Sequence, residues 1–177
     1  MRLLTIILTS LLMTACSSGS KKQFQKLYYR FPDPQSIELT KPILIKKPTA
    51  LGIFANRPLV VVDSTGALKQ MNYSFWLESP KVLLNNYLNK LFKSELSNSK
   101  QGHTLYTEIL QFEKSQDIAL VAINFKLISP KGSIDLDKTY EKQLQSNDKS
   151  VSQFVKSIGL MLQQITAELY EEALNDD

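Results

Sequence analysis

The fold is decided by the stretch "IALVAINFKLISPKGSIDLDKTYEKQL" (Ile118–Leu144). In its first half Ala119, Val121, Ile123, Phe125 and Leu127 fall at every second position, so a strand turns all five toward a core. Ser129-Pro130-Lys131-Gly132 then places Pro and Gly where a tight turn wants them. The return strand sets Ile134, Leu136, Tyr140 and Leu144 on one face. Asp135, Asp137, Thr139 and Glu141 take the other, answered by Lys138 and Lys142 nearby. A strand pair wet on one side only is the pattern of an antiparallel sheet with one covered face.

Upstream of this pair, "HTLYTEILQFE" (103–113) is a third strand, long and only roughly alternating. Downstream, Ser150 and Gln153 have capping-box spacing. They open a helix with Val151, Phe154, Val155, Ile158, Leu162, Ile165 and Leu169 on one side. Glu171, Glu172, Asp176 and Asp177 crowd its C-terminal end, where the helix dipole disfavours negative charge, so the last turn is expected to fray. Upstream, Ser79 and Pro80 mark a helix start, and Leu84, Tyr87, Leu88, Leu91 and Phe92 follow as an apolar stripe to about Leu96. Before it, Leu59–Asp63 and Leu68–Tyr73 read as a hairpin around Ser64-Thr65-Gly66. "KLYYRF" (26–31) and "PILIKKP" (42–48) are short strands closed off by prolines. The expected class is therefore α+β: a mainly antiparallel sheet with two amphipathic helices packed on one face.

At 177 residues, 43% hydrophobic and 21% charged, the chain is expected to form one globular domain. The net charge of +4 is spread over scattered lysines, which speaks against nucleic-acid binding. The one cysteine excludes an internal disulfide and a thiolate metal cage.

That cysteine ends "TIILTSLLMTAC" (5–16). Residues 1–15 carry Arg2 and then an apolar run from Leu3 to Met13, the length of a signal-peptide core and short of the roughly 20 residues that span a bilayer. Leu-Met-Thr-Ala-Cys resembles a bacterial lipobox. The resemblance implies cleavage before Cys16, a lipid on its sulfur, and acylation of the new amine with palmitate-type chains. Ser17, where an Asp would signal inner-membrane retention, implies the outer membrane, facing the periplasm. Residues 16–25 are then the lipidated Cys and a flexible tether, and 26–177 a single domain.

Catalytic chemistry is sparse. His103 is the sole histidine and reads as a loop-edge residue. Asp135 and Asp137 read as a solvated strand face rather than a metal site, and no phosphate loop, GxGxxG or HExxH occurs. No enzyme, metal or cofactor is expected apart from the lipid on Cys16. Trp76, in "YSFWLESP", reads first as a core aromatic seating the helix and second as an interface anchor. Leu51, Ile53 and Phe54, beside Gly52, either pack under the sheet or offer an apolar contact to a partner or a lipid.

Lipobox, "KLYYRF-P", "ILIKKPTALGIFANRPLVV" and "MNYSFWLESPKVLLNNYLNKLF" together resemble the auxiliary lipoprotein component of Mce-type ABC transport systems, the PqiC-like lipoproteins. The matching positions are Tyr28, Tyr29, Phe31 and Pro32; Leu51 and Gly52; Tyr73, Trp76, Glu78 and Pro80; and the helix after Ser150. Phe31 stands where the family has Leu, and Asp63-Ser64 where it often has Tyr. The resemblance implies a non-catalytic docking subunit that works with a periplasmic Mce-domain protein and an inner-membrane permease and ATPase to move lipids between the membranes. The alternative is a periplasmic lipid carrier with an apolar cavity between sheet and helices. Self-association into a homo-oligomer is compatible with either.

Overall fold

A computed structural model describes residues 24–39, 41–93, 102–146 and 148–175. The leader, Cys16 and most of the tether lie outside these residues, as do Leu96 and Asp176 and Asp177.

The sheet is organised by the strand expected at 103–113, which extends to Ser115. In chain order the elements are β1 (Leu27–Tyr29), β2 (Ile37–Glu38), β3 (Ile43–Ile45), β4 (Thr49–Ala50), a 3₁₀ turn (Gly52–Ala55), β5 (Pro58–Val62), β6 (Leu68–Trp76), α1 (Pro80–Leu91), β7 (Phe92–Lys93), β8 (His103–Ser115), β9 (Ile118–Ile128), β10 (Ile134–Gln145), α2 (Val151–Leu169) and a closing π-turn (Tyr170–Leu174). The main sheet runs β1-β6-β5-β8-β9-β10. β9 pairs antiparallel with β8 on one side and β10 on the other, and β5 with β6. The other edge of β8 is shared along its length by three short parallel partners: β3 at His103–Leu105, β4 at Glu108 and Ile109, and β5 at Glu113–Ser115. A parallel neighbour needs a long crossover, which β6 and α1 supply between β5 and β8. β1 adds a further parallel pair on β6, and β2 pairs with β7 apart from the main sheet. The class is α+β, and the sheet is mixed, with antiparallel pairing predominant.

The imperfect alternation of β8 has a cause. Leu105, Thr107 and Ile109 are buried, and then Phe112; a register shift between Ile109 and Gln111 absorbs one residue, so both ends of the strand present side chains to one core. On β9 all five predicted core residues are buried. On β10 Tyr140 is buried, but Ile134 is 57% exposed, because a shift between Ile134 and Leu136 takes it off the expected face.

Lys138 and Lys142 do not answer the strand's own acids. They reach the C-terminal helical segment, Lys138 Nζ lying 2.6 Å from Glu172 Oε1 and Lys142 Nζ 2.5 Å from Glu168 Oε1. The Tyr140 hydroxyl also donates to Glu172 Oε2 at 2.8 Å. The expected fraying is therefore absent as far as Asn175: the π-turn closes with the Asn175 amide donating to the Tyr170 carbonyl and Leu174 buried. A carboxylate at a helix C-terminus is disfavoured by the helix dipole, and here the lysine and the phenol offset it. Burial, and then Glu172, push the Tyr140 phenol well above its ordinary range.

α1 buries Leu83, Leu84, Tyr87, Leu88 and Leu91. Ser79 precedes it without a side-chain cap; its carbonyl accepts from the Val82 and Leu83 amides instead. At α2, Ser150 Oγ accepts from the Gln153 amide at 3.2 Å. The reciprocal half of the box is taken by Asp148, which accepts from the Ser150 amide at 2.8 Å. Both helices enter one core cluster with β8, β9 and Trp76.

Along that core runs a strap, Arg30–Pro34. Phe31 inserts edge-on against Trp76 (centroids 5.1 Å) and Phe112 (5.7 Å). Pro32 lies so close to α2 that a Cβ built on Gly159 would stand 2.5 Å from its Cγ. On the α1 side Asp33 pairs with Lys90 at 2.5 Å.

Two predictions follow from this packing. Gly159→Ala is expected to lose about 1–3 kcal/mol in chemical unfolding, an overpacking cost, and Pro32→Ala in the same chain should recover part of it. Asp33, Asp137, Asp148 and Glu172 are all held below their ordinary values by hydrogen-bonding partners, Lys90, Asn124, Ser150 and Lys138 foremost. Depressed folded-state values mean a stabilisation that is complete above the ordinary carboxylate range and lost on acidification. The melting temperature should therefore be steady from neutrality to about 4.5 and fall below it, through the ordinary aspartate value of 3.8.

Candidate functional site

Pro32 and Pro34 lack backbone donors and fix φ, so the strap cannot extend β1 into the ladder and instead crosses the core opening. Phe31 anchors it, and a groove opens on each side. Between strap and α2 lies a groove of about 530 Å³ floored by Phe31, Pro32, Val155, Gly159 and Leu160, with Arg30, Asp33, Lys156 and Gln163 at its rim. Leu160 is 50% exposed, an apolar side chain on the solvent side of an otherwise well-patterned helix. Between strap and α1 a smaller groove of about 170 Å³ is lined by Leu77, Leu83, Asn86, Tyr87 and Lys90 among others. An open apolar floor with charged residues at the rim can hold an apolar segment.

The residues singled out in the sequence separate into three environments. Trp76 is 2% exposed and packs between Phe31 and Phe154, the latter at 6.4 Å, so it is a core residue. Leu51 is half exposed at the start of the 3₁₀ turn, Ile53 is half-buried, and Phe54 is buried. Phe54 belongs to the same core cluster as Trp76 and also borders a groove of about 430 Å³ with Val62, Leu68, Leu110 and Ala122. Gln111, Ala122 and Glu141 lie side by side in register beneath it, on the sheet face opposite the main core. The four candidates thus do not form one site.

His103 Nε2 lies 3.2 Å from Asp135 Oδ2. Asp137 turns to Lys126 at 3.3 Å and Asn124 at 3.2 Å, so the two aspartates hold different partners. Among the described residues no three His, Cys, Asp or Glu side chains come together as a metal cage. Asp63 accepts from the Thr65 amide and hydroxyl and the Ala67 amide, and pairs with Lys69 at 2.6 Å. It fastens the β5–β6 turn, whose Gly66 has a φ of 85°.

The strap grooves escaped the sequence reading. Their signals were faint: a Pro-x-Pro after an aromatic, and a glycine and a leucine side by side on the margin of a helical stripe.

No protein-family model matches the sequence, and no curated protein matches it. Solved structures do share the fold. One is the crystal structure of an uncharacterized protein, 15% identical, with a TM-score of 0.73 over 84% of this chain and 98% of that one. Another is protein XCC0632 from Xanthomonas campestris, of family DUF330, 17% identical with a TM-score of 0.60 over 82% and 91% of the two chains. At these identities the likeness is one of fold.

Core and surface roles separate under substitution. Trp76→Ala should cost about 3–5 kcal/mol in urea unfolding, as for a buried aromatic. Leu51→Ser should stay within about 0.5 kcal/mol of the parent. Comparable losses for both would place Leu51 in the core.

Proposed function

We propose that this protein is a cell-envelope lipoprotein, held by acyl chains on Cys16 at the outer membrane and facing the periplasm. There it serves as a non-catalytic docking subunit of an Mce-type ABC transport system that moves lipids between the membranes. The observation that carries the reading is the register of Arg2, the apolar run, Ala15 and Cys16, followed at once by a polar tether. One acyl chain binds a membrane marginally and two or more hold it stably, so a multiply acylated Cys16 is a sufficient anchor. The strap groove supports the docking role: Leu160 and Val155 offer apolar area to a partner segment, and Arg30 and Lys156 add polar selectivity at the rim.

The same groove favours a second reading, a lipid carrier. Its apolar floor suits an acyl chain, and its rim cations suit an anionic headgroup. Native mass spectrometry of protein taken from membranes distinguishes the two: a co-purified lipid supports the carrier, and a bare protein the docking subunit.

Cys16→Ser is expected to keep the fold and lose membrane attachment, read by fractionation and circular dichroism. Recovery of that variant in the membrane fraction with its leader cut at the same point would overturn the anchor. Leu160→Asp should leave the fold intact and abolish co-purification of an Mce-domain partner by the native lipoprotein. A native pull-down that brings no such partner counts against the docking role.

A further inference from the structure

Four aromatic rings gather where the chain enters the fold. Phe24 stacks on Tyr73 with centroids 4.8 Å apart, and Tyr28 lies against Phe75 at 5.7 Å. β1 sets Tyr28 opposite Phe75, while the alternate residues of β6, Ser74 and Trp76, are buried, so these rings lie on the face away from the core. Phe24 is 65% exposed, Tyr28 52% and Tyr73 43%. Single exposed apolar residues are ordinary, but a cluster of them marks a contact surface.

Two cations sit over the rings. Lys26 Nζ is 5.7 Å from the Phe75 centroid, and the Arg57 guanidinium 5.4 Å from that of Tyr28. Arg57 Nε donates to the Trp76 carbonyl at 3.2 Å, which fixes the guanidinium over the patch with further donors left over. Two tyrosines with an apolar body and a polar tip, beside two phenylalanines and interleaved with Lys and Arg, suit the headgroup level of a bilayer, where rings lie among glycerol groups and cations meet phosphates.

Position selects the same occupant. Phe24 follows Cys16 by eight residues, and an extended chain covers at most about 3.6 Å per residue. A lipid on Cys16 therefore keeps this face within about 29 Å of the bilayer.

We infer that the Phe24–Lys26–Tyr28–Arg57–Tyr73–Phe75 face lies on the membrane surface and takes anionic phospholipid headgroups between its rings, orienting the domain on its tether. This rests on Cys16 being the anchor, and the test separates the two. Full-length protein, its acylation read by mass, is reconstituted in vesicles of phosphatidylethanolamine and phosphatidylglycerol carrying a headgroup quencher. A polarity-sensitive fluorophore is placed at Tyr73→Cys or, as the control, at Gln143→Cys on exposed β10.

Quenching at position 73 and not at 143 is the expected result. Acylated protein with both positions equally unquenched would overturn the membrane face and leave the anchor standing. If Cys16 carries no lipid, the anchor falls, and co-sedimentation of the same protein with the vesicles decides the face. Lys26→Gln should then weaken partitioning about fivefold, as for one cation near an anionic surface, and Phe24→Ser should weaken it too; no sedimentation of the parent would overturn it. Protection at position 73 in whole envelopes but not in protein-free vesicles would overturn it in favour of a protein partner.

Discussion

Hydrogen bonding along both edges of β8 is the constraint from which the rest of the molecule hangs. One edge is filled by a single long partner, β9; the other is divided among β3, β4 and β5. Those three are 3, 2 and 5 residues long, too short to be stable alone. Pro42, Pro48 and Pro58 chop this stretch into pieces, and β8 sets the pieces in line. The bulge near Leu110 serves the same end: without it Phe112 would point to the solvent face, and Phe31 would lose its edge-on contact.

The long hairpin and both helices were legible because their side chains carry a period. Ala119 to Leu127 announce a strand, and Leu84, Tyr87, Leu88 and Leu91 a helix, whatever lies around them. The parallel partners of β8 were not legible, since Ile43–Ile45 has too few residues to show what it pairs with, and the pairing depends on residues some sixty positions away. The partners of Lys138 and Lys142 are hidden for a related reason. Sequence neighbours suggested Asp137 and Glu141 as partners, but even-numbered residues of β10 share the side of Tyr140, where α2 supplies Glu168 and Glu172.

The candidate site was less visible still. Trp76, Phe54 and Leu51 look alike as apolar residues near loops, yet one is central to the core, one sits where the core meets a surface groove, and one is half in solvent. Their aromatic or aliphatic character says that they will be covered by something, and only the fold says by what. The strap shows even less: Gly159, which lets Pro32 approach α2, carries only a faint mark in the helical stripe and nothing that names its partner. Among the described residues the acids serve structure, with Asp63 fastening a turn, Asp33 holding the strap, Asp148 supporting a helix start and Glu172 closing a helix end.

The seating of Phe31 and Pro32 against Trp76 and Gly159 also bears on how the protein is made. The strap emerges during synthesis more than a hundred residues ahead of α2. Contacts so far apart in sequence close late, after the loop between them has been ordered. A nascent chain that lacks α2 keeps Phe31, Trp76 and the apolar face of β9 open to water. α2 thus closes the core, and a chain cut short before it presents to chaperones and proteases the very surface that the folded protein hides.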